Sequence, residues 1–294
     1  MEGLPLLSRE FLAKLNNLTL VSRRLHRRGQ EGSHFSYRKG SSLEFREYRP
    51  YQAGDDIRFV DWNVWERLGK LLVKVFTAEE DRSLYLLVDT SGSMGTGAPT
   101  KLRFASETAA ALAYIAGRRQ DRVGIFSLGE DVKSFRRPAK GSGTLIDSFR
   151  FLEQLEPSGA TNFTASCSHF LSGTDRSGLA VIFSDLLDMH DYREGIKRLL
   201  FRRFEVLLIH VLSADDLNPG FSGPVLLKDS EGGRRIKLNL DEPMMRAYKE
   251  NLEVFLRAAE DFCTSNGVEY LRAESSMPFE DFILDYLRKG GYLR

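Results

Sequence analysis

The stretch Ser83-Leu84-Tyr85-Leu86-Leu87-Val88-Asp89-Thr90-Ser91-Gly92-Ser93-Met94-Gly95 sets how the rest of the chain is read. Its apolar run, Leu84 to Val88, has the length and character of a strand buried on both faces. The run ends on Asp89, and the loop that follows puts a carboxylate and two hydroxyls, Asp89, Ser91 and Ser93, at every second position. Oxygen donors so spaced, on a loop leaving a buried strand, can converge on one hard cation. A helical pattern over 101–118 comes next, with Leu102, Ala105, Ala109, Leu112, Ala113 and Ala116 as a small-residue face suited to close packing on a sheet.

Working outward, strands are expected over 84–89, 122–128, 131–136, 179–184 and 205–212, and helices over 101–118, 143–155, 163–173 and 191–202. Apolar strands separated by helices of this length indicate an α/β layer with a mostly parallel sheet. Residues 213–242 break the alternation with Asp215, Asp216, Pro219, Gly220, Gly223, Pro224, Gly232 and Gly233. Two short strand-like runs there, 225–227 and 236–240, flank Asp229-Ser230-Glu231-Gly232-Gly233 as in a β-hairpin, which is expected to join the β-rich segment before residue 80. Pro243 then opens a long helix running through Asn266, with Gly267 just past its end. A strand over 268–271 and a helix over 279–287 complete the layer.

Ahead of residue 80 the pattern shortens to strands and turns, with Leu71, Val73 and Val75 alternating with Leu72, Lys74 and Phe76. Residues 44–63 mix Asp, Arg and aromatics densely. They suit either a catalytic acid cluster or an ion-paired turn pinning a small β-rich appendage, with Trp62 and Trp65 as anchors. Arg46, Arg49 and Arg58 stand ready to neutralise Asp55, Asp56 and Asp61, which favours the structural role. Residues 8–28 place Phe11, Leu12, Leu15, Leu18 and Leu25 near helical spacing, and Arg23, Arg24, Arg27 and Arg28 crowd the far end. A surface helix whose cations complement its dipole accounts for them, and a docking arm for an acidic partner or lipid is the alternative. The expected division is an N-terminal helical arm over 1–29, a small β-rich appendage over 30–80 plus 213–242, and the α/β domain over 81–212 plus 243–294.

The bulk numbers narrow the classes of function. Of the 294 residues 42% are hydrophobic and 28% charged, enough for a sizeable core. A formal net charge of +1 gives no broad electrostatic case for nucleic acid or a membrane surface. The two cysteines, Cys167 and Cys263, are far apart and have no metal-like spacing, which suits a reducing compartment. No apolar run approaches the ~20 residues of a membrane span, and the N-terminus lacks the layout of a signal peptide. A cytoplasmic protein is expected, touching a membrane only through a partner.

Two further segments end strands or open loops so that they could reach the crevice beyond Asp89. Thr161 sits in the turn Ser158-Gly159-Ala160-Thr161-Asn162, and Asp185 closes the apolar run 180–184. In open α/β sheets ligands collect beyond the carboxyl ends of strands, where strand order reverses. Taken singly, Asp89 to Ser93 is also a helix-capping turn and Asp185 a strand-end cap; taken together, in chain order, they favour a metal site. A Mg²⁺-dependent phosphoester hydrolase using Asp89 as nucleophile is the competing class, but it would want a second carboxylate two residues on, where Ser91 stands. No GxxxxGK[ST] loop, HExxH helix or GxSxG elbow is present. The five histidines are scattered, and His210, ending an apolar strand, fits a satisfied core position. A structural scaffold with a vestigial site is the third possibility.

Asp89-Thr90-Ser91-Gly92-Ser93, Gly159-Ala160-Thr161-Asn162 and Ser184-Asp185 together resemble the metal-ion-dependent adhesion site of von Willebrand factor type A (vWA) domains. The upstream Glu44-Phe45, Tyr48, Gly54-Asp55-Asp56-Ile57-Arg58 and Asp61-Trp62 resemble the signature of a bacterial branch, the domain-of-unknown-function 58 family. The resemblance implies a doubly wound, mostly parallel six-stranded sheet in the order 3-2-1-4-5-6, with strand 131–136 as its antiparallel edge. It also implies that Ser91, Ser93 and Thr161 bind Mg²⁺ directly, with Mn²⁺ or Ca²⁺ as substitutes, while Asp89 and Asp185 act mainly through bound waters. Such a site would bind a partner's Asp or Glu and would not be an enzyme. Members of the family are commonly encoded beside MoxR-type AAA+ ATPases, so the implied role is a chaperone-like adaptor to such an ATPase.

Overall fold

The computed structural model describes residues 6–19, 43–78, 83–129, 134–188, 191–220, 223–231 and 235–287. In chain order the principal elements are α1 (Arg9–Leu15), β1 (Leu43–Pro50), α2 (Trp62–Leu68), β2 (Leu72–Ala78), β3 (Ser83–Asp89), α3 (Lys101–Arg118), β4 (Arg122–Leu128) and β5 (Phe135–Ala139). They continue with α4 (Ser142–Glu153), α5 (Phe163–Ser172), β6 (Leu179–Ser184), α6 (Tyr192–Phe201), β7 (Glu205–Leu212), β8 (Gly223–Lys228), β9 (Arg235–Leu240), α7 (Glu242–Ser265) and β10 (Glu269–Glu274). Residues 31–81 form one unit; the rest of the chain forms the other.

The larger unit is built on a six-stranded sheet in the order β10-β7-β6-β3-β4-β5, parallel except for β5. Counted among the strands of this sheet alone the order is 3-2-1-4-5-6, as the vWA resemblance implied. Side-chain alternation on β3 shows why both faces must be covered. Leu84, Leu86 and Val88 enter one apolar layer, with residues of α1, α3 and α4, while Tyr85 and Leu87 enter the other, with residues of α5, α6 and α7. The same split recurs on β6, where Val181 and Phe183 face the first layer and Ala180 and Ile182 the second. Small residues do on α3 what the sequence suggested: Ala105, Ala109, Ala110, Ala113 and Ala116 are all fully buried.

The chain steps from β3 outward to β4 and β5, then returns to place β6 on the other side of β3. The crevice beyond Asp89 is therefore the point at which strand order reverses.

Several expectations change. The 225–240 hairpin does not join the β-rich segment: β8 and β9 satisfy each other from Gly223↔Leu240 to Lys228↔Arg235, and they group with the larger unit. Because a hairpin finds its partner strand locally, it needs no second sheet. The antiparallel edge is β5, displaced toward the C-terminus of 131–136; residues 131–133 lie outside the described residues. The N-terminal helix is not a separate surface arm. α1 ends at Leu15, and Phe11 and Leu15 are fully buried in the first layer, with the Phe11 ring edge-on to Phe279 at 5.2 Å. The Arg23 to Arg28 cluster lies outside the described residues. Among the described residues no helix is long and apolar enough to cross a membrane.

The smaller unit is an antiparallel β1–β2 pair with α2 between its strands in sequence. Two of the ion pairs foreseen in its turn form, Arg49 with Asp55 at 2.5 Å and Arg58 with Asp56 at 2.6 Å. Asp61 instead takes Lys74 on β2 at 2.8 Å and the Tyr48 hydroxyl at 2.8 Å, while its other oxygen caps α2 through Asn63 and Val64. The Arg46 side chain lies outside the described residues. Trp62 and Trp65 are not buried anchors: they are 56% and 49% exposed, edge to face with each other, whereas Val60 and Val73 are buried.

Asp61 therefore ties both strands to the helix start. Its carboxyl is held at about 2, first by the hydrogen bond from Lys74 and then by Tyr48. The unfolded chain takes up this proton near 4. The stabilisation is therefore present above about pH 4 and is lost as pH falls toward 2. Asp61→Asn, which keeps a good helix cap, is expected to melt earlier than wild type at pH 7 and to converge with it near pH 2. Tryptophan fluorescence suits the measurement, because both tryptophans of the chain lie in this unit. Equal melting at pH 7 would refute the role given to the carboxylate charge.

Candidate functional site

Three loops meet beyond the carboxyl ends of β3 and β6; backbone hydrogen bonds join the loop after β3 to the end of β4 and to the turn before α5, and the Ser184 hydroxyl ties in the end of β6. Thr90 N–H donates to the Leu128 carbonyl at 3.0 Å, Ser158 N–H to Thr90 at 2.8 Å and Gly92 N–H to Gly159 at 2.8 Å. Asn162 caps α5 by accepting from Ala165 N–H, which fixes the residue after Thr161. The five residues singled out by the sequence are brought to this one place. All are buried: Asp89, Ser91, Thr161 and Asp185 are at most 3% exposed and Ser93 is 7% exposed.

Asp89 is the hub. Its Oδ1 accepts from the Thr161 hydroxyl at 2.8 Å and from Ser91 N–H at 2.9 Å, and its Oδ2 accepts from the Ser184 hydroxyl at 2.6 Å. The Ser91 and Ser93 hydroxyl oxygens are 2.9 Å apart. Ser91 stands at the N-cap of the 3₁₀ turn Gly92–Gly95 yet makes no side-chain capping bond, so capping does not account for its hydroxyl. Burial first, and then the charge of Asp185, raise the Asp89 carboxyl above the usual range.

Lys101 and Asp216 are participants that the sequence reading missed. The Lys101 ammonium, fully buried, lies 2.7 Å from Asp185 and 2.9 Å from Asp216. Burial opposes its charge, but Asp185 and Asp216 outweigh that and hold the lysine above its ordinary value. Asp216 is itself fixed by a capping box with Ser213 at the helical turn Ala214–Leu217. A signal for Lys101 existed: a cation in the first turn of α3, next to the cap Thr100, opposes the helix dipole and needs a carboxylate nearby.

His210 fulfils the core role read for it and holds the site from behind. It is buried; its Nε2–H donates to the Asp185 carbonyl at 2.9 Å, and its Nδ1 accepts from the Tyr270 hydroxyl at 2.8 Å. Burial pushes it down to about 4, so it is neutral. The next residue, Leu186, is a buried leucine with φ of 55°, a left-handed conformation costing about 1 kcal/mol or more, and the Ser184 hydroxyl accepts from its N–H.

Two observations are compatible with a divalent cation on this donor set. The first is charge. Lys101 pairs with buried Asp185 and with partly exposed Asp216, while buried Asp89 takes only hydrogen-bond donors and feels the charge of Asp185, so the two buried carboxylates exceed the one buried ammonium and a positive ion would balance them. The second is spacing. Ser91 and Ser93 hydrogen-bond to each other at 2.9 Å, an ordinary hydroxyl separation that adjacent ligands of an octahedral Mg²⁺ with bonds of ~2.0–2.1 Å would also have, so the spacing accommodates the ion without distinguishing it from the hydrogen bond. Among the described residues no group of three or more His, Cys, Asp or Glu is arranged as a metal cage, so a cation here would rest on hydroxyls with carboxylates behind them.

The family model described as "Protein of unknown function DUF58" matches residues 47–254. Uncharacterized proteins of Mycobacterium bovis and Mycobacterium tuberculosis are 30% identical over 222 residues, covering 73% of this chain and 69% of theirs. Among solved structures, similarity extends to the conserved hypothetical protein BatB from Bacteroides thetaiotaomicron, with TM-score 0.44 and 16% identity over 71% of this chain and 98% of that one. The SpRpn10 VWA domain is similar with TM-score 0.38 and 12% identity, over 70% of this chain and 94% of that one.

Removing the buried cation should leave two carboxylates unpaired. Lys101→Met is expected to lower stability by about 3–5 kcal/mol, read from denaturant unfolding. Lys101→Met combined with Asp216→Asn should recover part of that loss. A single variant as stable as wild type would show that the ammonium is not what balances Asp185.

Proposed function

We propose that this chain, which belongs to the DUF58 family, is a Mg²⁺-dependent protein-binding module of vWA type that captures an Asp or Glu side chain of a partner protein. The observation that carries the proposal is the convergence of Asp89, Ser91, Ser93, Thr161 and Asp185 at the switch point of the sheet, under a net excess of buried carboxylate.

Ser91, Ser93 and Thr161 would offer neutral oxygens directly, and Asp89 and Asp185 would stand behind them through water. Held mainly by neutral hydroxyls, the ion keeps net positive character and supplies an attachment point for one carboxylate oxygen. Thr161 already directs its proton to Asp89, so its lone pairs are free to face a cation. Lys101 and His210 keep Asp185 in place, one through the carboxylate and the other through the backbone carbonyl.

Binding is preferred to hydrolysis because the position two residues after Asp89 is Ser91, which cannot serve as a proton-transferring acid or base near neutral pH. The partner that the family resemblance suggests is a MoxR-type AAA+ ATPase, for which the chain would act as a chaperone-like adaptor. Cys167 and Cys263 are free and buried, which suits the reducing cytoplasm that we propose as its location.

Calorimetric titration of Mg²⁺ should give saturable heat with wild type and none with Asp89→Ala, and Mg²⁺ should raise the melting temperature of wild type alone. Identical behaviour of the two proteins would overturn the metal site. A captured partner should be released by EDTA, and affinity unchanged by EDTA would overturn the binding mode. Mg²⁺-dependent turnover of a generic phosphoester, abolished by Asp89→Asn, would favour a hydrolase instead.

A further inference from the structure

The formal net charge of +1 hides an uneven distribution. Residues 193–205 hold five cations and two acids, a net +3, so the rest of the chain is net −2. The cations gather where α6 ends: Lys197 and Arg198 precede Phe201, Arg202 and Arg203 follow it, and all five side chains are exposed. Phe201 is 87% exposed, whereas Tyr192, Ile196 and Leu199 of the same helix are buried. Packing of α6 on the sheet therefore does not account for this ring. Folding does not account for Arg203 either. It stands just past the helix with φ of 64°, the left-handed position where glycine is the unstrained choice, and the helix dipole recovers only part of that cost. Arg198 donates to the Ser168 hydroxyl at 2.6 Å, with Glu194 at 3.5 Å, and Arg202 donates to the Thr174 carbonyl at 3.4 Å, so both are held at the end of the helix.

α6 runs from the carboxyl end of β6 back to the start of β7, and those two strands are parallel. The basic end is thus at the opposite edge of the sheet from Asp89 and Asp185, about 20 Å away along a strand of six residues. An excess of exposed cations attracts a polyanion, and three kinds compete. Nucleic acid wants a groove that tracks its backbone, and an acidic protein wants a contiguous apolar centre within the charged rim. A ring 87% exposed has no groove wall beside it, and the residues on either side of it add charge instead of apolar area. A projecting aromatic among cations suits the interface of an anionic bilayer, where the ring enters the headgroup boundary and the cations meet phosphates.

We propose that the C-terminal end of α6 docks this chain on an anionic membrane surface, with Phe201 inserted and Lys197, Arg198, Arg202 and Arg203 on the headgroups. The cation site, at the other edge of the sheet, then faces away from the bilayer. This docking is independent of the metal-binding proposal. It sets the protein on the cytoplasmic leaflet, within the location proposed above, and it departs from the expectation that only a partner touches lipid.

The test is sedimentation of the full chain with vesicles of phosphatidylcholine alone, or mixed in equal parts with phosphatidylglycerol. EDTA is present, so that no divalent ion bridges lipid to the cation site. Wild type is expected to sediment with the mixed vesicles and not with phosphatidylcholine, and to be released by added salt. Arg202→Gln combined with Arg203→Gln should weaken binding on the order of tenfold or more, and Phe201→Ser roughly tenfold. Arg203→Gly should bind more weakly while melting no lower than wild type, which separates lipid contact from folding. Wild type left in the supernatant of the mixed vesicles would overturn the proposal. So would variants that sediment as wild type does, since lipid contact would then lie elsewhere, as at Arg23 to Arg28. Binding of single-stranded DNA or polyglutamate that Phe201→Ser leaves intact, without vesicle binding, would replace the membrane by a soluble polyanion.

Discussion

One buried ammonium, that of Lys101, has three carboxylates around it or within reach of its partners, and it cannot balance them. It pairs with Asp185 and Asp216, and Asp89 remains in the same buried neighbourhood with only hydrogen-bond donors. Neutral donors lower the cost of a buried carboxylate without cancelling its charge, and the raised Asp89 carboxyl is the sign of that. The rest of the site is arranged around this imbalance. A proton can relieve it, or a cation can; the hydroxyls of Ser91, Ser93 and Thr161 favour the cation, because they supply oxygens without adding further negative charge.

The sheet supplies the rigidity this requires. β3 and β6 lie side by side in parallel, so Asp89 and the pair Ser184-Asp185 emerge from neighbouring strands at the same edge. Each strand is packed on both faces, and neither end can drift without disturbing an apolar layer. His210, one strand further out, pins the Asp185 backbone and takes its own second hydrogen bond from Tyr270 on the strand beyond. Four successive strands, β3, β6, β7 and β10, thus fix one carboxylate pair.

The sequence made the fold legible where local pattern decides it. The run Leu84 to Val88, the small-residue face from Ala105 to Ala116 and the loop Asp89 to Ser93 each carry their meaning within a few residues. Thr161 and Asp185 were reachable because each follows a recognisable element. Lys101 announced only that it needed a carboxylate nearby; which ones could not be read, because Asp185 and Asp216 pair with it across 84 and 115 residues. The hairpin was assigned to the wrong unit for a related reason: Val225 to Leu227 and Ile236 to Leu240 announce two strands, but nothing in their alternation says which surface the turn between them will meet. Asp61 was grouped with arginines by proximity in sequence, whereas the bridge of Val60 to Val73 and the Asp61 N–H bond to the Leu72 carbonyl lay it against β2 beside Lys74.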